Sequence, residues 1–116
     1  SFARFLETQR VPRALFPENL ERFEFDGSSR VMRCSFSRSM TLVLPNGNLR
    51  VDSRFSCRFA GDAAMSEVLG LRVEREIFGL RAEANVESLR LTDERILLTH
   101  DLGSEIVARD AVVLTT

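Results

Sequence analysis

Cys57 carries the most reactive atom in its stretch, "SRFSCRF", and stands between Arg54 and Arg58. Cations close to a thiol lower its pKa and can turn it into a nucleophile. The spacing argues otherwise. Successive strand side chains point to opposite faces. A strand here would put Phe55, Cys57 and Phe59 on one face and Arg54 and Arg58 on the other. A thiol buried between phenylalanines behaves as a small hydrophobe. Cys34, between Met32 and Phe36 in "VMRCSF", has the same setting. The two cysteines could share a core, and a disulfide between them is open if the protein is exported.

The single histidine, His100, precedes Asp101 in "THD", and a neighbouring carboxylate can orient an imidazole as a base. No serine or cysteine is tied to it by spacing, so a solvent-exposed turn histidine is expected. Arg50, Arg54 and Arg58 form a ladder on the even positions of the same stretch, interrupted by Asp52. Such a ladder could hold phosphates or an acidic partner. RNA-binding sheets add exposed aromatics to the cations, whereas here the phenylalanines alternate to the opposite face. A solvated sheet face is the plainer expectation, and an acidic protein partner the next. "GDAAMSEVLG" lacks the lysine and spacing of a phosphate loop. One histidine and two cysteines cannot build a four-ligand zinc site. No cofactor is therefore expected.

The elements that must position these residues are mostly strands. The N-terminal "SFARFLETQRVP" fits either a helix or a weak strand. From Leu20 the pattern has period two: Phe23 and Phe25 against Arg22 and Glu24, then Met32, Cys34 and Phe36, then Met40, Leu42 and Leu44. "DGSS" and "PNGN" are the turns between them, Asn-Gly being the strongest hairpin signal. Residues 49–59 are long for one strand, which predicts a bend or bulge near Ser53. The row Met65, Leu69, Val73 and Ile77, widened by Val68 and Leu71, predicts a helix over about 63–78, capped by Asp62 and stopped by Gly79. Short strands follow over 86–91, 95–100 and 105–109, and "AVVLTT" offers an edge strand. The expected fold is α+β: one domain over 1–116, with largely antiparallel strands curled over one packed helix.

Length and composition agree with an ordinary globular domain. The chain has 116 residues, 44% of them hydrophobic and 28% charged. A net charge of -1 argues against a dedicated nucleic-acid binder. No run approaches the roughly 20 apolar residues of a membrane-spanning helix. All 16 basic residues other than His100 are arginines, the mark of a GC-rich genome more than of any one activity.

The segment "SRFSC" resembles the Thr-Arg-Met-Ala-Cys signature of META domains, the heat-shock-associated HslJ-like proteins. Ser53 stands for the threonine, Arg54 for the arginine, Phe55 for the methionine and Cys57 for the cysteine. "FEFDGSSRVMRC" is similar to the strand, turn and strand that lead to the family's first cysteine, here Cys34. "TLVLPNGNLRV" is similar to its next hairpin, "AAMSEVLGL" to its helix, and "LRLTDERILLTHDLGSEIVARD" to its closing strands. Where the family has Gly-Cys-Asn, this chain has "RCS".

The resemblance covers about 20–109. It implies a compact pseudo-barrel with one packed helix and no enzymatic activity. It also implies a role in stress response, secretion or virulence, and leaves a cytoplasmic and a secreted or envelope-associated location both open. The expected function is a non-enzymatic module that binds protein. The alternatives are a small barrel carrying one lipophilic ligand and, less favoured, a cysteine-dependent enzyme.

Overall fold

The computed structural model of the chain describes residues 1–61, 63–111 and 113–115. Asp62, the expected helix cap, lies outside them. Among the described residues nine strands make one antiparallel sheet. Four follow the alternation from Leu20 onward: β1 (Leu20–Asp26), β2 (Val31–Phe36), β3 (Met40–Leu44) and β4 (Gly47–Phe59). They continue into β5 (Ala64–Ile77), β6 (Leu80–Leu91), β7 (Arg95–His100), β8 (Gly103–Ala108) and β9 (Val113–Thr115). The order across the sheet is β1-β2-β4-β5-β6-β7-β8, with β3 paired to β4 and β9 paired to β3. β4 meets β3 along Gly47–Val51 and β2 along Arg54–Arg58, so the chain changes partner across Asp52 and Ser53. The irregularity expected near Ser53 falls there, where the pairing with β5 also shifts register between Val51 and Ser56.

The sheet is curled but not closed into a barrel: β1 and β8 end the path and do not pair among the described residues. One hydrophobic cluster still takes in side chains from Phe2 to Val107. The packed helix is not where the apolar row put it. It is α1 (Phe2–Thr8) at the N-terminus, where Ser1 Oγ accepts from the Arg4 amide at 3.3 Å. That cap is the Ser signature of a helix start.

The helix expected over 63–78 is instead the strand β5, and the reason is specific. Met65, Val68 and Leu71 are all buried at intervals of three, which copies a helical repeat. In a strand, bulges produce the same spacing. Glu67 adopts a φ of +49° and Gly70 a φ of +91°, and the pairing with β4 shifts register on both sides of Leu69. From Met65 to Arg72 β5 advances seven residues while its partner β6 advances four, from Leu89 to Asn85, so β5 carries the excess and its alternation is reset. Beyond Gly70 the period of two returns, with Leu71 and Val73 buried and Leu69 exposed. Glycine is required at 70 because a Cβ there would lie 2.1 Å from the Arg54 carbonyl oxygen.

Eight phenylalanines hold α1 to the sheet. Phe2 packs on Phe16, Phe23 and Phe36 at centroid separations of 5.6, 5.2 and 6.0 Å. Phe5 packs on Phe23, Phe25 and Phe59 at 5.2, 4.6 and 5.6 Å. Phe55 meets Phe16 edge-on at 5.0 Å. Tilted and edge-on rings at these distances add roughly 0.5–1.5 kcal/mol per pair beyond the area they bury.

Candidate functional site

β4 divides its side chains as the alternation requires. Phe55, Cys57 and Phe59 are buried, and Arg54 and Arg58 are exposed. Ser53, at the bend, is half-buried. Across the β2–β4 pairing Cys34 stands opposite Phe55 and Met32 opposite Cys57. The cysteines are diagonal neighbours on the inner face, an arrangement that separates backbones by about 7–8 Å. A disulfide wants less, and both thiols are free. Burial pushes each thiol up to about 12. Cys34 Sγ points at the Phe55 carbonyl oxygen at 3.8 Å. Both are protonated packing groups at neutral pH.

The arginine ladder does not act as one surface. Arg58 pairs with Glu67 at 2.8 Å. Arg50 is half-buried, donates to Ser39 Oγ at 3.3 Å and lies 4.0 Å from Asp52. Asp52 itself accepts from Arg72 at 2.7 Å, and Arg72 also reaches Glu83 at 2.6 Å. Arg54 enters no ion pair among the described residues. It joins a different set, made by register across three strands. One row runs Arg22, Ser35, Arg54; the next runs Glu24, Arg33, Ser56, Leu69. All of these side chains face outward. They line an open concavity of about 460 Å³, with Leu69 at its edge 69% exposed.

Arg22, Arg33 and Arg54 are all free of ion pairs among the described residues and stand about 7–10 Å apart by strand spacing. Each pair repels by about 0.5 kcal/mol in water. An anion placed among them would relieve that repulsion. Glu24 offsets only part of it. The bulge that requires Gly70 presses on the Arg54 carbonyl, so one element fixes both Arg54 and the exposed Leu69. Sequence reading found Arg54 and missed Arg22 and Arg33. The turn at Asp26 could have placed Glu24 opposite Arg33, but nothing local sets β2 against β4.

His100 differs from the exposed turn residue expected. Its side chain is 10% exposed, and its partner is Glu105, not Asp101. The Leu102 amide donates to Nδ1 at 3.2 Å, which leaves the ring proton on Nε2 to donate to Glu105 Oε2 at 3.1 Å. Glu105 Oε1 also accepts from Arg75 Nε at 2.7 Å and from Arg75 Nη2. The carboxylate thus clamps β5 to the β7–β8 hairpin. No hydroxyl or thiol bonds His100 among the described residues, so this is a brace between strands. Among the described residues no cluster of three His, Cys, Asp or Glu side chains could hold a metal. No helix among the described residues is long and apolar enough to cross a membrane.

The fold and site define a mostly antiparallel β protein with one short helix and an arginine-lined outer face. Neither a family model, nor a curated protein, nor a solved structure matches the chain. Of the features that resemble META domains, the segment standing for the family's helix is β5, a strand.

Proposed function

We propose that the chain is a non-enzymatic, META-like binding module that engages an acidic segment of a protein partner through the outer face of β1, β2 and β4. The observation that carries this is the meeting of Arg22, Arg33 and Arg54 beside exposed Leu69, with none of the three arginines ion-paired among the described residues. Arginine suits the task because its planar fork grips a carboxylate with two parallel hydrogen bonds. Leu69 gives an apolar neighbour to such contacts. The META-like reading rests on "SRFSC" and the strands around Cys34. It gains nothing from the segment that was compared with a helix.

A labelled Glu/Asp-rich peptide carrying one leucine tests the reading. Its affinity should fall steeply as salt rises, because the attraction is between exposed charges. The variant with Arg22→Glu, Arg33→Glu and Arg54→Glu should lose binding at least tenfold. Reversal of Arg50 and Arg58 instead should change it little. Equal binding by wild type and the triple variant would reject the face as the interface.

A further inference from the structure

We infer that the β5–β6 hairpin is an arm whose apolar tip inserts into the interface of a lipid bilayer. The arm is defined by where its neighbours stop. β4 accompanies β5 only as far as Gly47 opposite Arg75, and β7 joins β6 only from Val86 onward. Between them Glu76 pairs with Arg81 and Ile77 with Leu80, and among the described residues no other strand pairs with them. The tip is therefore a projecting two-stranded finger.

Its end is apolar and presented to solvent. Ile77 is 51% exposed, Leu80 74% and Phe78 99%. Phe78 is the one phenylalanine of nine outside the aromatic cluster. It also occupies the wrong backbone for its type. Phe78 has a φ of +52° and Gly79 a φ of +77°, a two-residue turn that needs left-handed backbone at both positions. Asparagine is the preferred residue at the first of these, and a bulky side chain there is strained. Strain at an exposed aromatic points to a role outside the folded chain.

The occupant follows from size, shape and charge. Scaled by their exposure, the three side chains offer about 340–560 Å² at roughly 150–250 Å² each, so two tips in contact bury about 670–1,120 Å² in all. A stable contact with a second copy needs about 1,200 Å² or more. A bilayer has no such requirement, since a fluid apolar medium closes around any convex tip. Two residues of strand and a turn reach about 7–10 Å, the depth of interfacial insertion. Behind the tip Arg81 lies 3.6 Å from Glu74, Arg75 is held by Glu105, and exposed Glu76 enters no ion pair among the described residues, so the collar carries no cationic excess. The attraction is thus apolar, and the matching surface is zwitterionic lipid. The tip lies about nine residues along β5 from Leu69, roughly 30 Å of strand. Occupation of the arginine face and insertion of the arm do not compete.

The chain has no tryptophan and no tyrosine, so Phe78→Trp is a sole reporter of the tip. On phosphatidylcholine vesicles its emission should move to the blue and be quenched by lipid brominated on the acyl chains, with little change as salt rises. Phe78→Asn places Asn-Gly in the turn, keeps the fold and should reduce vesicle flotation roughly tenfold or more. Unchanged emission with vesicles, or equal flotation by wild type and Phe78→Asn, overturns the proposal in favour of a protein pocket. A concentration-dependent dimer that Phe78→Asn abolishes, with no vesicle binding, assigns the tip to a second copy. Salt dependence separates the two surfaces: loss of acidic-peptide binding leaves vesicle insertion unaffected, and the reverse.

Discussion

Phe59 and Phe78 are the same residue type, nineteen positions apart in sequence, at opposite extremes of exposure. Phe59 is 1% exposed at the end of β4, between Phe5 and Phe25. Phe78 is 99% exposed at the apex of the β5–β6 arm. The first belongs to a region where every ring contacts another and where α1, β1, β2 and β4 depend on one another. The second belongs to a finger paired only to itself. Apolar area stabilises a fold only where it is taken from water. The aromatic end stabilises the molecule, and the arm offers its apolar area to something else.

The sharpest way to break this comparison is to truncate both rings. Phe59→Ala should lower stability by about 3–5 kcal/mol, through lost transfer free energy and the cavity left between α1 and β4. Phe78→Ala should change stability by less than about 0.5 kcal/mol, since nothing packs on it. Urea denaturation of the two variants reads the difference directly. Similar losses for both would mean that the arm is packed and the contrast is wrong.

Alkaline pH probes the same boundary without mutation. The chain contains no lysine and no tyrosine, so the side chains that change charge between pH 9 and 12 are the two cysteines. Burial raises both folded thiols from 9.0 to about 12. As pH passes 9 the unfolded chain releases its thiol protons while the folded chain keeps them. Stability present below pH 9 is then lost as pH climbs toward 12, by about 1.4 kcal/mol per unit for each thiol. Between pH 8 and 10 the combined loss should be about 2–3 kcal/mol, and Cys57→Ala should halve it. A flat profile over that range would show that the thiols reach solvent. Both thiols sit in β2 and β4, so amide exchange in the arm should not follow this pH dependence.

The two regions also differ in how legible they were. β1 to β4 follow from period-two alternation and two turns, and Asn46-Gly47 opens β4 as such a turn should. β5 was misread because bulges at Glu67 and Gly70 spaced its buried residues three apart, and a bulge leaves no periodic mark. That error concealed the arm, since Phe78 read as the last residue of a helix. The arginine face was half legible. Outward projection of Arg54 is local, while its neighbours Arg22 and Arg33 depend on strands whose register is set by the whole sheet. The same non-local pairing tied His100 to Glu105 across the β7–β8 turn instead of to its sequence neighbour.

A smaller expected effect is the most discriminating, because it has the opposite sign. Phe78→Asn removes a bulky residue from left-handed backbone and supplies the Asn-Gly pair that this turn favours. Release of the strain should raise stability by about 1 kcal/mol. Few substitutions of a phenylalanine by a polar residue stabilise a protein, and all eight of its counterparts in the aromatic cluster should do the reverse. A measured loss would mean that Phe78 packs in solution and that the arm folds back on the sheet. A gain in stability together with a loss of vesicle insertion would show that the chain holds a destabilising residue at the tip for what lies outside it.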